Sequence, residues 1–466
     1  MFVGRKTELG KLNEMYASGK YECAIVYGRR RVGKTTLIKE FIKDKRAIYF
    51  LAREADGMVN LSGFGKDVYG AGAAKNNGAT FFADWDKAFD YIYEESKNER
   101  LVLAIDEYPY LAGGFRPISS ILQAHIDNRF KESKLFLILC GSSMSFMENQ
   151  VLGYQSPLYG RKTAQFKISA FSFYESTDFL DSFGMEDKAI LYGISGGIPE
   201  YLGKIDSKKS VKKNVLDLFL TPSGHFYEEP SNLLKQELRE PAVYNGIIEA
   251  IAQGASKLNE ISTKCRIENK TCAKNLNALI SLGIIKKETP ITERLSKKSI
   301  YLLNDMMFRF WYRFVFPNMS GITNGLGENV YEQEVHENIN AYMGLVFEEI
   351  CKEYLIMEAK GNNLPFPVIN IGRWWGTNPA KKRQEEIDIL AIQNDNALFA
   401  ECKWTNALVD IDILQGLKEK SELFTHKKKW FWLFVKKGFT PRLVEVAKNN
   451  DNIRLVAYNE MTPKNG

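Results

Sequence analysis

The sequence is short of the residues that build metal centres and disulfide frameworks. It has four histidines and six cysteines among 466 residues, and the cysteines are scattered with no CxxC pair. Structural zinc sites and disulfide scaffolds need such ligands at close spacing, so the composition argues against both. Several cysteines fall in apolar runs, where cysteine packs as a small hydrophobic residue.

Long apolar runs and a targeting segment are also missing. No run approaches the roughly 18 residues that a membrane-spanning helix needs. The first residues, Met1 to Lys6, lack the apolar centre of a signal peptide. These absences predict a cytoplasmic protein with no membrane partner.

The chain does have enough apolar material for several cores, together with a small excess of positive charge. Hydrophobic residues make up 45% of the sequence, and the formal net charge is +6. At a prior of roughly 150 residues per domain, the length predicts about three domains. The charge permits a nucleic-acid partner but does not by itself argue for one.

The segment from Gly28 to Thr35, GRRRVGKT, fits the phosphate-loop pattern GxxxxGK[ST]. An apolar, β-prone run precedes it, and apolar residues at helical spacing follow it. Glycines let successive backbone N–H groups point inward at phosphate oxygens, and the N-terminus of the following helix favours negative charge. The residues predicted to bind the nucleotide here are Gly28, Arg29, Arg30, Arg31, Val32, Gly33, Lys34, Thr35 and Thr36.

Two further residue types in this region predict phosphate chemistry. Lys34 can reach the β- and γ-phosphates of ATP as a catalytic group, and Thr35 can ligate Mg²⁺. The apolar run from Leu101 to Ile105 reads as a buried parallel strand, and it ends in Asp106 and Glu107. Acids at that end of a strand lie where open α/β sheets bind ligands. Asp106 is therefore predicted to hold Mg²⁺ through water, and Glu107 to orient the attacking water.

Two residues beyond this strand are weaker candidates for the nucleotide site. Ser142 follows a third buried strand and would either sense the γ-phosphate or serve a helix N-terminus. Arg161 would contact the γ-phosphate in cis or in a neighbouring subunit, or it is an ordinary surface arginine. A contact in trans would require a homo-oligomer.

Residues 245–303 read as a winged helix, with three helices followed by a hairpin. On the third helix, Lys270, Lys274 and Asn277 are expected to face outward, and the hairpin is basic. The hairpin cations are Lys286, Lys287, Arg294, Lys297 and Lys298. The segment would then bind DNA, with the third helix in the major groove and the hairpin on phosphates, or act only as a lid or interaction module.

The stretches on either side of residue 316 are predicted to have structural roles. The aromatic run from Phe308 to Phe314 predicts core packing more than base stacking. Residues 317–328, with Asn, Ser and Gly, favour a linker, so residues 317–334 are assigned as one.

A second chemistry is predicted near the C-terminus. Two apolar strands flank Asn394 and Asp395, and a two-residue turn there would pair Gln393 with Asn396. Asp388 would then lie opposite Glu401, with Lys403 on the same face. Two carboxylates in an apolar hairpin are costly to bury unless they bind metal, so Asp388 and Glu401 are candidate Mg²⁺ or Mn²⁺ ligands, with Lys403 positioning water. The other interpretation is a salt-bridged edge hairpin.

These motifs together resemble those of the prokaryotic archaeal-type ATPases, AAA+-related P-loop proteins of the STAND group. The resemblance rests on Phe2 to Arg5, the phosphate loop, Asp106 to Pro109, Gly141 to Ser143, Tyr159 to Arg161 and Gly196 to Pro199. It implies the nucleotide-site roles given above and adds Pro199 as an adenine contact.

Residues 374–404 resemble the PD-(D/E)XK restriction-endonuclease-like domain that many of these proteins carry. That likeness implies Asp388, Glu401 and Lys403 as a catalytic triad and Glu348 as a further metal ligand. Ile387 stands where the family often has the proline before the aspartate.

The predicted architecture is α/β: a P-loop NTPase parallel sheet, then a helical and winged-helix region, then an α/β restriction-endonuclease-like domain. The expected divisions are an AAA+-like ATPase domain at 1–205, a helical lid and winged helix at 206–316, the linker at 317–334, and the nuclease-like domain at 335–466. The predicted function is ATP binding and hydrolysis with Mg²⁺, coupled to a DNA-directed and nucleolytic C-terminal domain. The alternative is a regulatory ATPase switch whose later domains only bind DNA or protein.

Overall fold

The computed structural model describes residues 2–70, 82–293 and 298–461. Within these residues the chain divides into two compact units. The first contains residues 2–171 and 198–203, and the second contains residues 172–197 and 204–461. No described helix is both long enough and apolar enough to cross a membrane.

Helices are numbered in chain order through both units. They are α1 Lys6–Ala17, α2 Lys34–Ile42, α3 Gly57–Gly70, α4 Trp85–Ser96, α5 Tyr108–Gly114, α6 Ile118–Asn128, α7 Met144–Phe146, α8 Phe173–Ser176, α9 Met185–Ser195, α10 Pro199–Leu202, α11 Val211–Leu218, α12 Glu229–Glu237, α13 Pro241–Ala252, α14 Leu258–Cys265, α15 Asn269–Ser281, α16 Met306–Phe310, α17 Met319–Thr323, α18 Gly327–Val330, α19 Glu337–Lys360, α20 Ile411–Ser421 and α21 Pro441–Lys448.

Strands are numbered in the same way. They are β1 Glu22–Tyr27, β2 Ala47–Leu51, β3 Leu101–Asp106, β4 Leu135–Gly141, β5 Ala164–Lys167, β6 Ile285–Glu288, β7 Ile300–Leu303, β8 Asn370–Asn378, β9 Arg383–Gln393, β10 Asn396–Lys403, β11 Lys428–Val435 and β12 Ile453–Ala457.

The first unit is built on a five-stranded sheet in the order β2-β3-β4-β1-β5, with every pair of neighbours parallel. Every residue of β3 and β4 is buried, as expected for strands covered by helices on both faces. Since the strands are parallel, their carboxyl ends share one edge of the sheet. That edge is where open α/β sheets bind ligands.

The second unit contains a separate five-stranded sheet in the order β12-β11-β10-β9-β8. Strands β8, β9 and β10 pair antiparallel, whereas β10, β11 and β12 are parallel. Helix α20 connects β10 to β11, and α21 connects β11 to β12. The core on one face joins Phe399 and Phe431 to Leu417 of α20 and Leu443 of α21.

The three helices and hairpin predicted for residues 245–303 are present as α13, α14, α15 and the antiparallel pair β6–β7. Lys270, Lys274 and Asn277 are exposed on α15, as expected. Arg294 and Lys297 lie outside the described residues. The aromatic run packs in a core as predicted, with Trp311 almost fully buried and its indole N–H donating to the Tyr227 carbonyl at 2.7 Å.

Two stretches whose composition is typical of loops contain helices. Residues 57–80 are rich in Gly, Ala and Asn, which favours a loop-rich stretch with weak helix; residues 57–70 form helix α3, because Leu61, Phe64 and Val68 are buried on one face and tertiary packing outweighs the glycines. The rest of that stretch, to residue 80, lies outside the described residues.

The residues assigned as a linker, 317–334, are helical in the structure. Helices α17 and α18 form there, with Ile322 and Val330 buried, and a further helical turn, Tyr331–His336, continues into α19. The apolar residues between the polar ones supply that core contact. All of the assigned domain boundaries stay predictions.

Helix α19 carries a carboxyl group that binds the segment containing α8 and α9. Glu353 accepts hydrogen bonds from the backbone N–H of Phe173 at 2.7 Å and from the Tyr192 hydroxyl at 3.3 Å. Burial raises the pKa of Glu353 from its ordinary 4.5 to about 7. The folded protein therefore takes up a proton at this position more readily than the unfolded chain does.

We expect Glu353→Gln to change how stability depends on pH. Protonation of Glu353 contributes its full stabilisation to the folded state below about pH 4.5. This contribution is lost as the pH rises through about 7. Glutamine keeps an acceptor oxygen but has no charge to desolvate. The free energy of unfolding of Glu353→Gln minus that of wild type should therefore be larger at pH 8 than at pH 5. The change should be up to about 3 kcal/mol, at roughly 1.4 kcal/mol per pKa unit.

Urea unfolding followed by tryptophan fluorescence measures this difference, since six of the seven tryptophans lie in the second unit. Glu445→Gln, at an exposed position of α21, is the matched control and should give the same difference at both pH values. An equal difference for Glu353→Gln at pH 5 and pH 8 would contradict the raised pKa.

Candidate functional site

The phosphate loop lies between β1 and α2, at the carboxyl edge of the first sheet. Arg31 and Gly33 both adopt left-handed backbone conformations, with φ of 73° and 88°. At Gly28 a side chain is excluded, because a Cβ there would lie 2.2 Å from the carbonyl oxygen of Ile168. The local sequence thus shapes the tight turn that the motif predicted.

Lys34 begins α2 and is buried in the loop. Its Nζ donates to the carbonyl oxygen of Arg29 at 2.9 Å, so the side chain folds back over the turn. This position lets the ammonium group exchange a backbone oxygen for a phosphate oxygen with little movement. The ammonium group of a lysine binds phosphate as a single point charge.

Thr35 and Asp106 are brought together, although 71 residues separate them in the chain. The Thr35 hydroxyl donates to Oδ2 of Asp106 at 2.7 Å, and the Tyr49 hydroxyl donates to the same oxygen at 2.7 Å. The backbone N–H of Glu107 donates to Oδ1 at 2.9 Å. A hydroxyl and a carboxylate at this spacing are oxygen ligands of the kind that Mg²⁺ prefers.

Asp106 stays ionised despite its burial. It is 1% exposed, and burial alone would raise its pKa. Hydrogen bonds from Cys140, Thr35 and Tyr49 and from the backbone of Glu107 outweigh burial and hold the pKa of Asp106 below its ordinary value.

Glu107 and Ser142 are also in contact. The Ser142 hydroxyl donates to Oε2 of Glu107 at 2.9 Å, across the ends of β3 and β4. Of the two interpretations left open for Ser142, the cap is not observed, since the residue before α7 is Ser143 and its side chain makes no capping bond. Glu107 has a left-handed φ of 52°, which turns its carboxylate out of the strand direction.

Pro199 lies beside the phosphate loop. It is the first residue of α10, and its Cγ would be 3.7 Å from a Cβ built on Gly33. The adjacent Glu200 is 3.6 Å from the Arg31 guanidinium. Pro199 therefore lies next to the residues predicted to hold phosphate; its contact with adenine stays a prediction.

Arg161 is placed away from the nucleotide edge. It precedes β5, which begins beside the start of β1, and its guanidinium binds Asp127 with an Nε to Oδ2 distance of 3.0 Å. Its remaining donors reach the carbonyls of Pro157 and Tyr159. Because the phosphate loop follows the other end of β1, this arrangement makes no contact in cis. The trans contact stays a prediction.

Three residues near the loop were not found from the sequence. Tyr49 holds Asp106, the Tyr110 hydroxyl accepts from Arg30 at 2.8 Å, and Arg5 donates to the Val32 carbonyl at 3.0 Å. Tyr49 lies on the strand next to β3 in the sheet, so the strand order would have identified it. The Arg5 contact could have been predicted, because Arg5 belongs to the motif from Phe2 to Arg5 that opens the chain.

In the second unit, the predicted hairpin register is confirmed. Gln393 pairs with Asn396, and the pairing continues to Ile389 opposite Ala400. Asp388, the next residue, is buried and accepts from the backbone N–H of Cys402 at 2.8 Å. Burial, and then the charge of Glu401, raise the pKa of Asp388.

Glu401 forms ion pairs with two lysines. Lys403 Nζ lies 2.7 Å from Oε1, and Lys420 Nζ of α20 lies 2.9 Å from Oε2. Burial opposes the charge on Lys403, but the charge of Glu401 outweighs it and holds the pKa of Lys403 above its usual value. The sequence analysis missed Lys420, because no motif marks its position on α20.

Glu348 is close enough to Asp388 for their charges to interact. Burial and the charge of Asp388 raise the pKa of Glu348, and both side chains line one cavity. Across the described ranges, however, no set of three His, Cys, Asp or Glu side chains is arranged to hold a metal ion. The predicted ligands Glu348, Asp388 and Glu401 are thus near one another without forming such a set.

The N-terminal part of the chain defines its class. Residues 2–205 match a family described as an ATPase domain predominantly from Archaea, and residues 311–433 match one described as archaeal and bacterial proteins of unknown function. Together with the phosphate loop and the parallel sheet, the first match identifies a P-loop ATPase domain of archaeal type.

Most of the chain is similar to one archaeal protein. The uncharacterized protein MJECL04 of Methanocaldococcus jannaschii is 36% identical over 438 residues, which cover 91% of this chain and 92% of that protein. The chain therefore belongs to the family of this archaeal protein. A shorter relative, the uncharacterized ATP-binding protein MJ0423 of the same organism, is 52% identical over 46 residues, or 10% of this chain and 78% of that protein.

A solved structure supports the fold class. The Walker-type ATPase PABY2304 of Pyrococcus abyssi superposes with a TM-score of 0.52 at 19% identity, covering 67% of this chain and 96% of that one. At this identity the likeness concerns the fold. It confirms the predicted order of a P-loop parallel-sheet domain followed by a helical region.

We expect Gly28→Ala to weaken nucleotide binding. The added Cβ would meet the Ile168 carbonyl, which is backbone and cannot rotate away, so the loop must move. Nucleotide affinity measured with a fluorescent ATP analogue should fall by roughly tenfold or more, since a loop shifted by about 1 Å loses several charge-assisted hydrogen bonds. Gly10→Ala is the control, because a Cβ there meets nothing within 4 Å. Unchanged affinity in Gly28→Ala would show that the Ile168 contact does not shape the loop.

Proposed function

We propose that this protein is a Mg²⁺-dependent ATPase whose nucleotide state controls a DNA-directed C-terminal domain. The observation that carries the ATPase part is the contact between Thr35 and Asp106, which joins the phosphate loop to the end of β3. Their oxygens suit Mg²⁺, which when bound neutralises charge on the transferred phosphate group.

Different residues of the chain then have different roles at the carboxyl edge of the first sheet. Lys34 binds the phosphates from within the loop, and Glu107 orients and deprotonates the attacking water. Ser142 holds the Glu107 carboxylate at 2.9 Å, so it sets where that base points. The same contact gives Ser142 a position from which to sense phosphate.

We expect Glu107→Gln to stop hydrolysis without stopping binding. Glutamine keeps the shape and the contact with Ser142 but cannot accept the proton of water, so kcat should fall by roughly 100-fold or more. Phosphate release measures kcat, and a fluorescent nucleotide measures affinity. Lys34→Ala should lose affinity itself, and Glu54→Gln, at an exposed position of the same unit, should change neither quantity. Full turnover in Glu107→Gln would remove this residue from the mechanism.

For the second unit, we propose that α13, α14, α15 and the β6–β7 hairpin form a winged helix that binds DNA. Lys270 and Lys274 are exposed on one helix, and Lys287 is exposed on the hairpin. Lys286 does not belong to this surface, because its Nζ binds Glu288 at 2.6 Å and also Glu349. Exposed cations on the third helix and the wing suit contact with phosphates.

The C-terminal sheet supports a nuclease-like role. Helix α19, the antiparallel strands β8–β10 and the parallel strand β11 after α20 bring Asp388, Glu401 and Lys403 to one region. Asp388 and Glu401, with Glu348, are the groups that would hold Mg²⁺ or Mn²⁺, and Lys403 would position water. Glu401 must exchange a lysine for the metal to do so.

The second candidate is a switch that binds DNA or protein without cutting. The pairing of Glu401 with both Lys403 and Lys420 favours it, because a carboxylate held by two ammonium groups is already neutralised. A trans contact by Arg161 in a homo-oligomer is compatible with either candidate.

The cleavage of labelled single- and double-stranded DNA distinguishes the two candidates. With Mg²⁺ or Mn²⁺ present, we expect wild type to cut and Asp388→Ala to lose cutting by roughly 100-fold or more, since a metal ligand is removed. Glu422→Ala, at an exposed position outside the triad, should cut normally. If wild type and Asp388→Ala are equally inactive, and charge reversal of Lys270 and Lys274 weakens DNA binding, the non-cutting switch is the better description.

A further inference from the structure

The side chain of Tyr49 reaches the predicted Mg²⁺ site from the strand next to β3. Tyr49 is the third residue of β2 and pairs with Ala104, which lies two residues before Asp106. Side chains two residues apart on a strand share a face, so these three side chains lie on one face of the sheet, whereas Ile48 and Phe50 are buried on the other. The Tyr49 ring therefore extends along the sheet toward its carboxyl edge, where its hydroxyl meets Asp106.

Helix α2 holds the ring of Tyr49 in place. The ammonium nitrogen of Lys39 lies 5.2 Å from the centroid of this ring. A cation over an aromatic face is attracted by the quadrupole of the ring. Lys39 stands four residues after Thr35 on α2, so the helix that begins at the phosphate loop also contacts the ring. The hydroxyl of Tyr49 is thus fixed through its ring on one side and through Asp106 on the other.

The two oxygens of the Asp106 carboxylate differ in the donors they accept from. A carboxylate has roughly four lone-pair positions, two on each oxygen. The hydroxyls of Thr35 and Tyr49 both donate to Oδ2, each at 2.7 Å, and so fill that oxygen. Oδ1 accepts from the backbone N–H of Glu107 at 2.9 Å, and the thiol of Cys140, a weak donor, also bonds to the carboxylate. A cation can therefore bind Oδ2 directly only if one of the two hydroxyls leaves it.

Thr35 is the more accessible oxygen of the pair. Its single hydroxyl proton is donated to Asp106, so its own lone pairs stay available to a cation. Thr35 is exposed, whereas Asp106 is buried. A cation that arrives from solvent with the nucleotide thus has Thr35 as a direct ligand, and Asp106 acts on it through charge and through the orientation of the Thr35 hydroxyl.

Mg²⁺ and Ca²⁺ differ in how much direct protein ligation they need. Mg²⁺ gives up water reluctantly and usually keeps several waters, with few carboxylate bonds. Ca²⁺ takes roughly six to eight oxygen ligands in a flexible geometry, and carboxylates are prominent among them. Because Oδ2 is already filled, Asp106 offers Ca²⁺ no direct bond there, although its negative charge attracts either cation. The arrangement therefore favours the cation that needs fewer protein oxygens.

We propose that the hydroxyl of Tyr49 determines which divalent cation the nucleotide site accepts. By occupying Oδ2 of Asp106, it selects Mg²⁺ over the larger Ca²⁺. Tyr49 acts through Asp106 and not as a ligand, so it is a positioning residue that sets cation specificity. The inference rests on the Mg²⁺-dependent ATPase proposed above and concerns only the choice of its cation.

The test is the affinity of the full chain for a fluorescent ADP analogue, measured in EDTA, in saturating Mg²⁺ and in saturating Ca²⁺. Binding of ADP requires no hydrolysis, and the affinity of each cation for the nucleotide itself is the same for every variant. The Kd in Ca²⁺ divided by the Kd in Mg²⁺ therefore reports the preference of the protein. Tyr49→Phe keeps the ring and removes the hydroxyl. This ratio should fall by roughly threefold or more in the variant, since a hydrogen bond no longer competes with Ca²⁺ for Oδ2.

Tyr93→Phe is the matched control, because it removes a hydroxyl from α4 in the same unit and should keep the wild-type ratio. Tyr49→Leu, which also lacks the hydroxyl, serves if Tyr49→Phe fails to fold by circular dichroism. The same ratio in the Tyr49 variant as in wild type, with binding still tighter in Mg²⁺ than in EDTA, overturns the inference and leaves the proposed ATPase standing. Wild-type binding that is no tighter in Mg²⁺ than in EDTA contradicts the proposed Mg²⁺ site, and the inference falls with it.

Discussion

The ionised carboxylate of Asp106 is the group on which the first unit depends. It is buried at the end of β3, where an isolated charge would be strongly destabilising. Donors reach it from β2, from the start of α2 and from the backbone of the next residue. The strand order β2-β3-β4-β1 is what makes this convergence possible, because β2 and β4 flank β3 and β1 leads into the phosphate loop. The nucleotide site and the stability of the sheet edge thus rest on the same hydrogen bonds.

Charge is handled differently in the second unit. There Glu401 faces Lys403 and Lys420, whereas Asp388 and Glu353 accept from backbone N–H groups. Ion pairs between side chains can exchange partners, whereas backbone donors cannot move away. Glu401 can therefore change partners when a cation enters, whereas Asp388 and Glu353 keep their backbone donors.

Local patterns predicted the parts of this structure that depend on neighbouring residues. The phosphate loop, the buried run ending in Asp106 and the register of Gln393 with Asn396 each follow from a short stretch of sequence with a fixed spacing. Contacts made through the tertiary fold could not be read this way. Tyr49 and Lys420 carry no motif, and their roles depend on which strand or helix lies beside them. Helix α3 shows the same limit, since its sequence predicts only weak helix and tertiary packing stabilises it.

The left-handed conformation of Glu107 has a consequence for protein engineering. A non-glycine residue in that region costs roughly 1–2 kcal/mol, so glycine or asparagine would fold more favourably at this position. A redesign guided only by thermal stability would accept that replacement and lose the carboxylate that Ser142 contacts. The position thus marks where stability alone favours a residue other than the glutamate that is present.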